Sequence, residues 1–252
     1  MRLGEEIDQK NQSLVEHLTE LRVRLIRAFI YIIVAALACY SYSEQLFEVI
    51  RSPIVPFLKS MGLVFTAPMD KFMAHIKIAL FAGTLLSSPG WFYQIWKFIS
   101  PGLYMKERRY ALSFIISAVV LFLTGILLCY FAVLPVTFEF LLNFGGTVDQ
   151  PMITISEYLS FFITLHLAFG LAFELPLILV VLGMFGIVSQ AFLKDKRRYA
   201  IVIMSIFAAI VTPSPDAVTM LLLLVPLAIL YEVSVIMVGF FENKRKANGT
   251  NL

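Results

Sequence analysis

The chain has 252 residues, 60% of them hydrophobic and only 15% charged, with 23 Phe and a mean hydropathy of +0.86. That balance excludes a disordered chain, a disulfide-stapled secreted domain and an ordinary water-soluble enzyme, and it points to a membrane protein. A formal net charge of +3 is too small for a polyanion-binding surface, so no nucleic-acid partner is expected.

Apolar stretches lie near 25–43, 76–99, 110–134, 158–182, 199–211 and 217–240, which predicts six transmembrane helices within a single integral membrane domain, 1–252. The first stretch follows about twenty-four polar residues rather than a short basic leader, and the Cys39 to Ser43 segment after it offers no cleavage site. It is expected to be retained.

Within residues 14–27 the leucines Leu14, Leu18, Leu21 and Leu25 share one helical face while Glu16, Glu20, Arg24 and Arg27 occupy another. Residues 1–24 are therefore expected to be a cytoplasmic amphipathic segment whose carboxylate row turns away from lipid. Glu20 has a bland reading, an i,i+4 pair with Arg24, and a functional one as a binding carboxylate. His17 beside it has no third ligand nearby, and no metal is expected.

Basic residues orient the spans. The N-terminal segment holds Arg2, Lys10, Arg22, Arg24 and Arg27; the second inter-helix loop with its edge holds Lys97, Lys106, Arg108 and Arg109; the fourth loop holds Lys194, Lys196, Arg197 and Arg198, and the tail holds Lys244, Arg245 and Lys246. The alternate segments are poorer, so both termini, including the tail 242–252, are expected in the cytoplasm. Lys77 lies at the outer edge of the second stretch, where its long stem is expected to snorkel.

Pro89-Gly90 predict a kink in the second stretch. Glu107, in the loop after it, is either a helix N-terminal carboxylate paired with Lys106 or Arg109, or a binding acid. Glu174 lies inside the fourth stretch, where a charged acid costs about 2.5–3.5 kcal/mol at mid-membrane. Its alternatives are a neutral acid bonded near Pro176 and a polar site in a hydrated groove. His166, eight residues earlier and within ~80° on the same helix, is its candidate partner. Glu232 in the sixth stretch carries the same two readings.

The fifth stretch, about thirteen residues at ~1.5 Å each, reaches only ~20 Å against a ~30 Å core. The basic tail beyond it requires that it cross, so a locally thinned bilayer is expected, with Pro213 and Pro215 forming the outer turn. The sixth span is also expected to be short. Cys39 and Cys129 fall in apolar runs and are expected to pack rather than bridge. No hydrolytic, metalloprotease or phosphate-binding motif is present, and the halves do not repeat.

The ordered set His17-Leu18-Thr19-Glu20-Leu21-Arg22-Val23-Arg24, Ser88-Pro89 with Gln94-Ile95-Trp96 and Phe98, Pro101-Gly102-Leu103 through Glu107-Arg108, Phe169-Gly170-Leu171-Ala172-Phe173-Glu174-Leu175-Pro176, and Thr212-Pro213-Ser214-Pro215-Asp216 resembles the TatC family over nearly the whole chain. The resemblance implies an all-α membrane protein, a cupped, concave arrangement of six helices in the bacterial cytoplasmic (inner) membrane. It implies the receptor of the twin-arginine translocase, which exports folded proteins using the proton-motive force.

Glu20, Arg22, Glu107 and Arg108 then correspond to signal-peptide-binding positions, Glu174 with His166 to an intramembrane polar site on the concave face, and Pro53 and Asp216 to extracellular loop positions. Implied partners are twin-arginine signal peptides of cargo, TatA-type and TatB-type single-span subunits, further copies of the chain, and membrane lipid; no cofactor is implied. The chain departs from the family pattern at Pro68-Met69-Asp70, which carries the shorter acid, and at Ala217 and Met220. The competing reading from the residues is a proton-coupled small-solute secondary transporter built on Glu174 and His166. A membrane scaffold without substrate is the third.

Overall fold

The computed structural model describes residues 2–58, 62–100, 111–143, 152–212 and 217–247, with the side chains of residues 2–15, 143 and 244–247 left aside. Regular structure in these residues is helical apart from a single parallel bridge, Val64 to Thr154. The helices are α1 (Arg2–Tyr40), α2 (Ser43–Arg51), α3 (Pro68–Leu86), α4 (Ser88–Ile99), α5 (Ala111–Leu128), α6 (Leu134–Asn143), α7 (Ile155–Ala172), α8 (Leu175–Met184), α9 (Gln190–Asp195), α10 (Arg197–Val211) and α11 (Ala217–Ala247).

Four described segments are long and apolar enough to cross a bilayer: Glu16–Tyr40, Ala111–Leu142, Ile155–Met184 and Ala217–Asn243. A fifth forms if α3 and α4, bent by 57° at their junction, count together. The expected kink thus exists. It lies at Ser87, where Pro89 occupies the first turn of α4 and the Ser87 N–H still donates to the Gly83 carbonyl at 2.9 Å. The predicted second span is therefore not one straight helix, and it starts at Pro68 rather than 76. Asp70 explains the early start, because its carboxylate accepts from the backbone N–H of Ala67 at 2.8 Å and of Thr66 at 3.0 Å, groups that a helix start leaves unpaired.

The third span also outruns its predicted end at 134. A π-turn over Cys129–Val133, in which the Leu134 N–H donates to the carbonyl of Cys129 five residues back, carries the helix past Pro135 to Asn143. In the fourth, Phe173 and Glu174 interrupt the helix because Pro176 cannot donate back to Ala172. The fifth, α10, has 15 residues, ~22 Å of rise, in keeping with the expected shortness. The sixth does not: α11 has 31 residues, ~46 Å of rise, because Pro226 inside it fails to end the helix.

Two core clusters hold the bundle. The larger joins Ile54, Ile78, Phe81, Val133, Leu134, Phe162, Phe169, Leu223, Leu227 and Val235; the smaller joins Trp91, Phe92, Ala118, Phe122 and Ile126. Outward faces stay apolar, with Leu37, Phe131 and Ile210 each at least 70% exposed, which water would penalise and hydrocarbon does not. Where burial against lipid gives no driving force, helices approach at small residues. A Cβ built on Gly83 of α3 would lie 2.5 Å from the Ala36 backbone nitrogen of α1, and one on Gly125 of α5 would lie 2.7 Å from the Phe169 carbonyl oxygen of α7. Both cysteines are free, and Cys129 is fully buried.

Candidate functional site

Helix α1 is unbroken from Arg2, so its polar row continues into the segment that packs beside α4. Leu18 and Leu25 point outward, 64% and 50% exposed, while Glu20 and Arg24 turn inward and are partly covered. This is the orientation expected of a helix at a membrane, where lipid is the apolar solvent and polar groups seek protein. Glu16 and Arg27 of the same row remain exposed.

The expected pair forms. Arg24 donates from Nη2 to Glu20 Oε1 at 2.7 Å and from Nε to the same oxygen at 3.2 Å. Its Nη1 reaches Gln94 Oε1 of α4 at 3.5 Å, and Gln94 Nε2 donates to the Tyr31 hydroxyl at 3.2 Å. Gln94 is 4% exposed, whereas the side chains of Glu20 and Arg24 retain 33% and 18% of their exposure. Both contacts to Glu20 fall on one oxygen, so among the described residues Oε2 has no hydrogen-bond donor. His17 stacks on Phe98 with ring centroids 4.5 Å apart, one turn beyond this network. The assembly is a carboxylate one-third exposed, with one oxygen held by a guanidinium, a group whose remaining oxygen has the chemistry to accept a further planar cation.

Arg22 stands apart. It is exposed, two residues and therefore ~200° around the helix from Glu20, so the structure does not bring these two candidates together. Glu107, Arg108 and Asp216 lie outside the described residues. Pro53 is half-buried in the turn after α2, next to the fully buried Ile54. Tyr158 of α7 fastens this region through a 2.5 Å hydrogen bond to the Ile50 carbonyl.

His166 and Glu174 are both buried, at 1% and 6% exposure, but they are not joined. His166 Nδ1 meets the Phe162 carbonyl at 2.7 Å, its ring stacks on Phe162 at 3.8 Å and meets Phe81 edge-on at 5.9 Å. Among the described residues its Nε2 and Glu174 Oε1 are both without hydrogen-bond partners. Neither of the two atoms serves the other, so the predicted coupled pair is absent as a direct contact.

Glu232 is explained by structure: its Oε2 accepts from Arg197 Nη2 at 2.6 Å, with both side chains about half exposed. An ion pair this open contributes little. Replacing Glu232 by Gln is expected to change thermal stability by less than about 1 kcal/mol, measured by melting the detergent-solubilised protein. Lys77, expected to snorkel, donates to Ser160 Oγ of α7 at 3.0 Å at an exposed position. Among the described residues no three His, Cys, Asp or Glu side chains are grouped to hold a metal ion.

The sequence reading missed Tyr31 and the structural role of Gln94. The available signal was an amide in an otherwise apolar and aromatic stretch, Trp91-Phe92-Tyr93-Gln94-Ile95-Trp96, since a buried amide demands partners.

The model of the Sec-independent protein translocase protein (TatC) family matches residues 16–226. Sec-independent protein translocase protein TatC of Desulforapulum autotrophicum is 39% identical over 96% of this chain and 89% of its own length. That of Magnetococcus marinus is 42% identical over 95% and 88%. A crystal structure of the twin arginine translocase receptor TatC in DDM superposes with a TM-score of 0.75 at 36% identity, covering 88% of this chain and 98% of that one. With agreement of this extent in sequence and in helical architecture, the chain belongs to the TatC family, a multi-pass membrane component of twin-arginine protein transport.

Proposed function

We propose that the chain is the receptor of the translocase, and that it binds the paired arginines of a cargo leader sequence at Glu20, with Glu107 as the second carboxylate and Arg108 beside it. The observation that carries this reading is the Glu20 carboxylate, one-third exposed, with one oxygen held by Arg24 and the other without a donor among the described residues. A guanidinium offers two parallel N–H groups to a carboxylate where an ammonium offers a hydrated point charge, so a partly desolvated acid favours Arg-Arg over Lys-Lys. Each charge-assisted contact contributes about 1.5–3 kcal/mol, enough to separate two contacts from one.

In this reading six spans form a cupped scaffold with both termini, the 1–24 segment and the 242–252 tail in the cytoplasm of a bacterium, in its inner membrane. Glu174 and His166 form a polar site within the bilayer, Pro53 and Asp216 shape the outer loops, TatA-type and TatB-type subunits and further copies of the chain assemble around it, and the proton-motive force drives export. The transporter reading has less support, because His166 is engaged by Phe162 and does not reach Glu174.

Photocrosslinking of a twin-arginine leader peptide to membranes containing Glu20→Ala, Glu107→Ala and the double variant tests the site. Capture is expected to fall about tenfold or more in each single variant and on the order of a hundredfold or more in the double variant, the loss of one and of two contacts of about 1.5 kcal/mol or more. Undiminished capture would remove the assigned site.

A further inference from the structure

We propose that Arg24 is an internal occupant of the Glu20 carboxylate, and that Gln94, oriented by Tyr31, is the acceptor to which Arg24 is transferred when a leader guanidinium arrives. The inference rests on the reading of Glu20 as the leader-binding acid and adds to it an exchange step and two positioning residues.

The geometry has three parts. Arg24 places two donors on Glu20 Oε1, at 2.7 and 3.2 Å, so the acid meets an incoming cation already partly neutralised. The third nitrogen, Nη1, stands 3.5 Å from Gln94 Oε1, the outer limit of a hydrogen bond and weak in its present position. Gln94 cannot turn away, because it is 4% exposed and its amide nitrogen is committed to the Tyr31 hydroxyl at 3.2 Å. A guanidinium has no acceptor and an amide has one, so the amide oxygen is the group that must face Arg24.

The consequence is an exchange rather than an addition. Arg24 is four-fifths covered at its side chain, and leaving such a cation without an acceptor is costly. A short swing toward Gln94 keeps it hydrogen-bonded while Oε1 is released. One leader cation then replaces one existing contact with another of the same kind, for little net gain. A second guanidinium makes a contact that has no counterpart in the unloaded receptor. Discrimination between paired arginines and a single cation, or a pair of lysines, follows from this subtraction.

The test measures Kd for a twin-arginine leader peptide and for its Lys-Lys counterpart on the intact detergent-solubilised chain. Arg24→Gln, which removes the competitor, is expected to tighten binding of both peptides and to narrow their ratio, each by about tenfold. Gln94→Leu, which removes the receiving acceptor, is expected to weaken the twin-arginine peptide about tenfold when Arg24 is present and to have no effect in the Arg24→Gln background. Tyr31→Phe follows Gln94→Leu in direction with a smaller loss.

If these residues merely tied α1 to α4, every substitution would weaken binding, Arg24→Gln included, and Gln94→Leu would still be silent in the Arg24→Gln background because the two side chains meet; weaker binding by Arg24→Gln therefore overturns the proposal. Thermal melting establishes that each variant is folded. Should Arg24→Gln fail to fold, Arg24→Lys takes its place, with tightening of about threefold expected because an ammonium grips the carboxylate less well. Glu20→Gln is measured in parallel. If it retains full binding, the leader site itself is misassigned, whereas if it abolishes binding while Arg24→Gln fails to tighten, only the exchange step is wrong.

Discussion

Adding a methyl group at Gly83 is expected to destabilise the protein by about 1–3 kcal/mol, and Gly83→Leu by more, because the space is filled by backbone rather than by a side chain that can turn aside. The built Cβ lies 2.5 Å from Ala36 N, 2.7 Å from Ala36 Cα and 2.9 Å from Ala36 Cβ. Only the last of these contacts disappears in Ala36→Gly. That second-site change is therefore expected to leave most of the Gly83→Ala loss in place, whereas a clash of two side chains would be rescued. Thermal melting of the two single variants and the double variant measures the difference, and full rescue would show that the helices are not held at backbone distance. The crossing also sets how α1 is presented to α4. A displacement at Ala36 is transmitted along an unbroken helix to Arg24, where the 3.5 Å contact with Gln94 has no slack. Gly83→Ala is accordingly expected to weaken leader binding even in the folded fraction.

The second large effect concerns Glu174, where stability and function are expected to move in opposite directions. Its Oε1 is buried without a partner, and a buried polar group in that state costs about 1–3 kcal/mol. Glu174→Leu removes the group at similar volume and is expected to recover an amount of that order, seen as a rise of several degrees in the melting temperature. Glu174→Gln keeps an unpartnered polar head and is expected to gain little. If the acid serves a polar site within the bilayer, export of a twin-arginine cargo falls in the Leu variant despite its greater stability. A Leu variant that melts earlier would mean that Oε1 is satisfied in the membrane, for instance by ordered water, and a Leu variant that exports normally would remove Glu174 from the function.

Several elements were legible from local chemistry. The α1 pair was readable because i,i+4 neighbours meet on any helix, and the structure forms it between Glu20 and Arg24. The bend in the second span was readable from Pro89, since a proline within an apolar stretch favours the first turn of a new helix over the interior of a continuous one. Proline was a poorer guide elsewhere. At Pro135 a π-turn absorbs the missing donor, and at Pro226 the helix passes through to Ala247; packing on both sides decides whether a proline ends a helix or is carried within it. The sixth span, expected to be short, has 31 residues. For His166 and Glu174, helical spacing set an angle of ~80° and no more; that His166 Nδ1 meets the Phe162 carbonyl and makes no hydrogen bond to Glu174 is a matter of packing.

Local chemistry along the chain specifies the solvent these helices face and the segments they form. Hydropathy, proline positions and helix-capping acids act within a turn or two, so they specify which stretches are helical and which faces tolerate lipid. Which polar groups meet was left to tertiary structure. Glu20 and Gln94 are separated by 74 positions in the chain, and their connection through Arg24 exists only because Gly83 lets α3 lie against α1, with α4 turned by 57° beside it. Contacts at that sequence separation depend on helix crossings of ångström precision, and these are set by packing, which no local pattern encodes.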